Sequence, residues 1–330
     1  MGGNALRQHQ AVRLSKKDYE PLAEECVGRL RSLYPAGRVE AIQSYRAKQD
    51  FGDLDVLIAA DGYDPHTAAS AIGSVEVVRN GPVTSVGVQV PGGGVFQVDL
   101  IKSSFDEFDY ASRYFRWNDL GNLIGRVAHA MGVAHRHDGL FFYFRDGDHL
   151  FREILLTRDH DMALVFLGLD PRQFNRGFDT LEDMFEFVAS SRFFNRDIYL
   201  LQNRNAKSRV RDNKRPSYMK FLAWCESHPE LPSFSFPENK TRWCARISIH
   251  FHEFWQAYQQ AESDLARIHA ARKRFNGELV SRITGLTGKP LGELMAKIRS
   301  SFGSPAAQQD FVLSSTDGEI ESLILRLHGS

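Results

Sequence analysis

Gln43-Ser44-Tyr45-Arg46-Ala47-Lys48-Gln49-Asp50-Phe51-Gly52-Asp53-Leu54-Asp55-Val56-Leu57-Ile58 is the stretch on which the reading of this chain turns. Asp53 and Asp55 stand two apart at the head of an apolar run, 54–59, that reads as a strand. A strand has a side-chain period of two, so both carboxylates point to one face. Like charges side by side on an otherwise apolar strand repel, and a divalent cation supplies the compensation. A third carboxylate, Asp99, lies inside a second strand-like run, Phe96-Gln97-Val98-Asp99-Leu100-Ile101. If the two strands are neighbours, three carboxylates converge into a ligand set for two Mg²⁺ ions, with Mn²⁺ as the alternative ion. The competing reading of the DxD alone is a solvated turn. Ser44, Arg46 and Lys48 lead into the strand; a hydroxyl, backbone N–H groups and two cations there suit the phosphates of a nucleotide, and an ordinary charged loop is the alternative.

Outward from this stretch, residues 16–33 carry Leu22, Cys26, Val27, Leu30 and Leu33 near helical spacing and read as a helix ending before Tyr34-Pro35-Ala36-Gly37. Runs at 39–44, 75–79, 83–90 and 95–101 read as further strands, and 65–72 as a short helix. Asn80-Gly81-Pro82 and Pro91-Gly92-Gly93-Gly94 supply turns between strands. The first hundred residues therefore read as a helix on a small, mostly antiparallel or mixed sheet. Beyond Ile101 the pattern turns helical at 110–131, 159–167, 180–190 and 252–275, with a β-like interruption at 139–144. The fold class expected is α+β, a mixed sheet with helices followed by a mainly helical region. We place a boundary at 145/146.

Composition narrows the function classes. The chain has 330 residues, 42% hydrophobic and 25% charged, which excludes whole-chain disorder. Lys+Arg and Asp+Glu are both 41, so a uniformly basic polyanion coat is excluded but a local patch is not. Residues 202–220 supply such a patch, with Arg204, Lys207, Arg209, Arg211, Lys214, Arg215 and Lys220 against Asp212, and Tyr218, Phe221 and Trp224 close by. That mixture suits a phosphate backbone and a stacked base, or else a solvated loop. Three scattered cysteines without CxxC spacing argue against a disulfide framework or structural zinc and fit a reducing compartment. The pairs His135/His137 and His250/His252 lack cysteine partners and read as polar strand or surface residues. Met1-Gly2-Gly3-Asn4 opens no apolar leader, and no apolar stretch is long enough to span a bilayer, so a cytoplasmic, non-membrane protein is expected.

The order Ser44, a loop of about ten residues, DxD on a strand and a third Asp on a later strand resembles the signature of the DNA polymerase β-like nucleotidyltransferase superfamily. Ser44 matches the signature serine, Asp53 and Asp55 the DxD, and Asp99 the third carboxylate. Two positions depart from it: Gln43 stands where the signature has glycine, and Ala47 replaces a second phosphate-binding arginine, with Lys48 as a substitute. Residues 96–126 are similar to the family X polymerase stretch that runs from the third aspartate through the nucleotide-contacting helix. The resemblance implies that Tyr114 and Phe115 flank the sugar of the incoming nucleotide, that Asp119 and Asn122 face its base, and that Arg126 meets the primer–template groove. By residue type alone, Tyr114 and Phe115 could equally be core aromatics. Residues 275–325 loosely resemble the C-terminal helical element of tRNA CCA-adding enzymes and poly(A) polymerases. The lyase and thumb domains of family X polymerases have no counterpart upstream, so lyase chemistry is not expected.

The resemblance implies an enzyme that binds a nucleoside triphosphate and moves the nucleotidyl group to the 3′-hydroxyl of a nucleic acid, DNA or a tRNA 3′ end, releasing pyrophosphate. Asp53, Asp55 and Asp99 are then the catalytic metal ligands. Residues 1–145 form the palm and nucleotide-contacting helix, and residues 146–330 form a helical, acceptor-binding region in which Arg204, Lys207, Arg209, Arg211, Lys214 and Arg215 meet nucleic acid. Transfer to a protein or small-molecule hydroxyl and a non-catalytic nucleic-acid-binding relative are the alternatives. Two rings near the sugar favour deoxynucleotides, whereas the CCA-adding-like tail favours ribonucleotides.

Overall fold

A computed structural model describes residues 4–329, with backbone only at Asn80 and Lys240. Gly2 and Gly3, whose lack of side chains would allow a ligand close to the backbone, lie outside the described residues. The chain divides into two compact units, Met1–Tyr143 with Glu153–Phe254, and Phe144–Arg152 with Trp255–Ser330.

The first unit opens with β1 (Leu14–Ser15) and α1 (Lys16–Leu33), followed by β2 (Arg38–Ala41), β3 (Asp50–Phe51), β4 (Asp53–Ala59), α2 (Pro65–Ala71), β5 (Ser74–Asn80), β6 (Val83–Gln89) and β7 (Val95–Lys102). Five of these strands form one mixed sheet in the order β2-β4-β7-β6-β5, in which only β4 and β7 run parallel. Alternation decides its two faces. Leu54, Val56 and Ile58 of β4, with Phe96, Val98 and Leu100 of β7, pack under Leu22, Cys26, Val27 and Leu30 of α1. Leu57, Ala59 and Ile101 occupy the other face.

That second face meets α3 (Phe108–Phe115) through Phe108 and Ala111. Then come α4 (Leu120–Ala130), β8 (Val133–Arg136), β9 (Gly139–Asp146) and β10 (His149–Thr157), a second sheet in the order β10-β9-β8. Two sequence expectations change here. The helix read over 110–131 is two helices, broken where Trp117 and Asn118 take left-handed φ of 64° and 57°. The lone β-like run at 139–144 is the middle strand of three.

Helices α5 (His160–Phe166), α6 (Pro171–Arg176), α7 (Leu181–Ala189), α8 (Ala206–Asn213), α9 (Pro216–Ser227) and α10 (Cys244–His250) follow. The basic run 202–220 is thus largely helical rather than a loop. Cys26, Cys225 and Cys244 are buried and free.

α11 (Phe254–Arg274) leads into α12 (Gly277–Thr284), α13 (Gly288–Ser300), α14 (Pro305–Ser314) and α15 (Asp317–His328). These helices share a separate core built on Val280, Leu294, Ile298, Val312, Ile320 and Ile324. The tip of the β9–β10 hairpin belongs to this second unit, where Arg152 pairs with Asp264 at 2.8 Å and Asp146 with His269 at 2.9 Å. The boundary drawn at 145/146 falls in that hairpin, and residues 153–254 group with the first unit. No helix among the described residues is long and apolar enough to cross a membrane.

Candidate metal centre and the cleft around it

Asp53 and Asp55 share the face of β4 that α3 covers further along, at Leu57 and Ala59. The parallel register sets Asp55 directly opposite Asp99. Ligand oxygens of Asp53, Asp55 and Asp99 all lie within 4.8 Å of one another, so the three could hold a metal ion, and no other such group occurs among the described residues. Gln97 Nε2 donates to Asp99 Oδ1 at 2.9 Å, and the Ser85 hydroxyl, opposite Asp99 on β6, also bonds it. Sequence reasoning passed over both residues. Gln97 was detectable only as the same-face neighbour two positions before Asp99.

The electrostatics fit a cation. Burial, reinforced by Asp53 and Asp99, pushes the Asp55 carboxyl up to about 8. Burial and Asp53 likewise raise Asp99, against the hydrogen bonds from Ser85 and Gln97. Burial, then Asp55 and Asp53, push the Tyr19 phenol up, which locates Tyr19 beside the carboxylates. Three crowded carboxylates favour their charged forms only with positive charge among them, and an all-oxygen donor set suits a hard divalent ion.

The loop before β4 is pinned at both ends of its course. β3 pairs with β1, which stacks Tyr19 on Phe51 with ring centroids 3.8 Å apart. Lys48 reaches over the Phe51 ring at 4.5 Å and donates to Ser44 Oγ at 3.3 Å. Burial lowers the Lys48 ammonium below its ordinary value, with Asp53 and Asp55 opposing that shift. Arg46 makes its contacts away from the carboxylates. Its backbone N–H donates to Phe178 O at 3.0 Å, and its guanidinium pairs with Asp179 at 2.7 Å and bonds the Arg176 carbonyl. It tethers the loop to the 176–179 segment and is not among the residues lining the cleft.

A cleft of about 880 Å³ opens beside the carboxylates. Ser44, Lys48, Asp53 and Asp55 line one side; Tyr114, Phe115, Asp119 and Asn122 line another, with Arg215 and Lys220 at the α9 side. Tyr114 and Phe115 meet edge to face at 5.3 Å, and Phe115 stacks on His137 at 5.8 Å. Arg215 Nη1 donates to Asp119 Oδ1 at 2.5 Å, and Arg211 Nη2 to Asn122 Oδ1 at 3.4 Å. Ten of the sequence-selected side chains thus line the cleft, and Asp99 joins Asp53 and Asp55 beside it.

Several others lie elsewhere. Arg126 donates twice to the Ile198 carbonyl, at 3.1 and 2.9 Å, and acts as a tie between segments. Arg204 is buried and pairs with the fully buried Asp212 at 2.6 Å, so its guanidinium does not face a polymer. Tyr218 and Phe221 are core residues, and Tyr218 OH donates to Tyr199 O at 2.6 Å. Lys207, Arg209 and Lys214 are exposed on and just after α8. His135 is buried beside Tyr110, Tyr114 and His160.

No family model matches the chain, and no curated protein matches it.

Proposed function

We propose that the chain is a metal-dependent nucleotidyltransferase with the palm of the polymerase β-like superfamily, moving a nucleotidyl group from a nucleoside triphosphate, ribo- or deoxyribo-, to the 3′-hydroxyl of a nucleic acid. The observation that carries this reading is the convergence of Asp53, Asp55 and Asp99 on one sheet face beside a cleft that also holds Ser44 and Lys48. The three carboxylates would hold Mg²⁺, or Mn²⁺ in its place. Two such ions, when bound, lower the pKa of the attacking hydroxyl and neutralise charge on the phosphates.

The chain's own residues would divide the remaining work. Lys48 and the Ser44 hydroxyl would hold the polyphosphate. Tyr114 and Phe115 would border the sugar, and Asn122 the base. The acceptor oxygen attacks the α-phosphorus, the bond to pyrophosphate breaks, and the hydroxyl proton leaves toward Asp99 or solvent. Arg215, paired with Asp119 in this structure, would exchange that partner for a phosphate.

The test incubates the protein with Mg²⁺, each labelled NTP and dNTP, and primed DNA, tRNA or no polymer, and follows extension and pyrophosphate. Asp53→Ala, Asp55→Ala and Asp99→Ala should each abolish transfer without unfolding the chain. Near-normal turnover in Asp99→Ala would overturn the assignment. A second reading, transfer to a protein or small-molecule hydroxyl, is favoured by the commitment of Arg126 and Arg204 to internal contacts.

A further inference from the structure

The sheet face that carries the carboxylates also carries a strap. Glu76 of β5, Gly87 of β6, Gln97 of β7 and Asp53 of β4 stand opposite one another in a row across four strands. Residues 5–9 cross three of those positions. The backbone N–H groups of Arg7, Gln8 and His9 donate to the Glu76 carboxylate at 2.6, 2.9 and 3.1 Å, and His9 Nδ1 lies 2.9 Å from it. Leu6 passes over Gly87, where a Cβ would stand 3.2 Å from Leu6 Cδ1 and 2.6 Å from Val95 Cγ1, so only glycine leaves room. Ala5 N–H donates to Gln97 Oε1 at 2.8 Å.

Gln97 joins the strap to the metal centre. A backbone N–H can only donate, so the amide oxygen faces Ala5 and the amide NH₂ faces Asp99. Gln97 is 3% exposed, which leaves its amide no solvent partner to turn to. The strap residues Arg7, Gln8 and His9 are themselves exposed. Their hold is one buried carboxylate rather than an apolar core, so the strap is seated or released as a unit with Glu76.

We propose that this strap is a clamp on the metal centre: seated on Glu76 it fixes Gln97, and Gln97 holds Asp99 in the orientation that converges on Asp53 and Asp55. The inference rests on the metal reading of the three aspartates. Glu76 and Gln97 are positioning residues, and Glu76 acts two strands away from Asp99. By linkage, whatever the docked strap contributes to cation affinity, the bound cation returns to strap docking.

The experiment uses the full chain and Mn²⁺ or Mg²⁺ alone, without nucleotide. Cation affinity is measured by titration calorimetry, and amide exchange at residues 5–9 is followed with and without the ion. Glu76→Ala should weaken cation binding about tenfold, as loss of outer hydrogen-bond partners of metal ligands does. Gln97→Ala should weaken it comparably, and the double variant no further. The cation should slow exchange at residues 5–9 in the wild type and not in Gln97→Ala. Melting of each metal-free variant checks the fold; if an alanine variant does not fold, Glu76→Gln and Gln97→Met replace it. Unchanged affinity in a Glu76→Ala protein whose strap amides exchange freely overturns the clamp, as do additive losses in the double variant. A wild type that binds no cation, or binds it equally in Asp55→Asn, removes the metal reading itself and the clamp with it.

Discussion

Asp55 and His135 are displaced in opposite directions by one cause, burial. Asp55 rises to about 8 and His135 falls to about 4, while His160 is also held well below its ordinary value. Each arm of the pH profile follows from linkage. With a folded pKa raised above the unfolded one, Asp55 makes the native state bind more protons than the unfolded chain between about pH 4 and 8, so its arm lowers stability as pH rises through that window. The histidines are depressed, so their arm loses stability as pH falls from about 6.5 toward 4. The His160 ring nitrogens have no hydrogen-bond partner, and the contact of His135 with the Gly121 backbone only partly offsets its burial. Above about pH 6.5 the carboxylate arm alone remains, and the metal-free protein should lose stability toward pH 8. Asp55→Asn should remove that decline and raise stability near pH 8 by at least about 1 kcal/mol, or about 1–2 °C in Tm for a chain of this size. Mg²⁺ added to the wild type should do the same. In Asp55→Asn the histidine arm then stands exposed below about pH 6.5, and His160→Phe should flatten it. Thermal melts across pH check all three, and a wild-type profile flat from pH 6.5 to 8 would contradict the carboxylate crowding.

The link between α3 and α4 positions one wall of the cleft, and it is held by packing rather than by local preference. Trp117 takes a left-handed φ of 64°, which a bulky side chain adopts only when its surroundings impose it. Those surroundings are visible: Trp117 N–H donates to Gln43 O at 2.8 Å, and the indole meets Phe174 and Phe178 edge to face at 6.5 and 5.6 Å. Trp117→Ala should therefore cost about 3–5 kcal/mol in urea unfolding, as large aromatic truncations in cores do. Because Asn118, Asp119 and Asn122 would lose their placement, it should also weaken the nucleotide binding proposed for the cleft. A loss below about 1 kcal/mol would show that the indole does not hold the link. The same element shows what the sequence could and could not convey. The strands and turns of the first sheet were legible because period-two alternation and Asn-Gly or Gly-rich turns are local signals. The break at Trp117 was not, since residues 116–119 contain neither glycine nor proline and the apolar spacing runs on from Tyr110 to Ala128. Likewise Asp53, Asp55 and Asp99 stood out as charges in apolar strands, whereas Gln97 and Ser85, neutral residues in the same strands, did not. The true partners of Arg46 and Arg126, Asp179 and the Ile198 carbonyl, lie far along the chain and only the fold brings them near.

With a formal net charge of zero, attraction to a polyanion must come from local arrangement rather than overall field. The structure sorts the basic run 202–220 into three kinds of cation. Arg204 is internal, with its side chain 4% exposed against the fully buried Asp212, so it belongs to stability. Arg215, bonded to Asp119, and Lys220 line the cleft, and Arg211 reaches Asn122 beside it while also pairing with Asp212 at 3.1 Å, so these three belong to the cleft and its margin. Lys207, Arg209 and Lys214 are exposed and have no carboxylate partner among the described residues, so only they are arranged to meet phosphates outside the cleft. Arg204→Ala should accordingly cost about 3–5 kcal/mol by leaving a buried charge unpaired, with little change in the salt dependence of the protein that remains folded. Replacing Lys207, Arg209 and Lys214 together by glutamine should leave stability within about 0.5 kcal/mol, as surface changes do. If the acceptor is a polymer, each phosphate neutralised releases counterions, and three lost contacts should flatten the slope of log affinity against log salt by about 2–3. Binding of labelled primed DNA and tRNA across a salt series measures that slope. A slope the triple variant leaves unchanged would remove the polymer from this surface, and the acceptor hydroxyl would then be sought on a protein or a small molecule that fits beside Asp99.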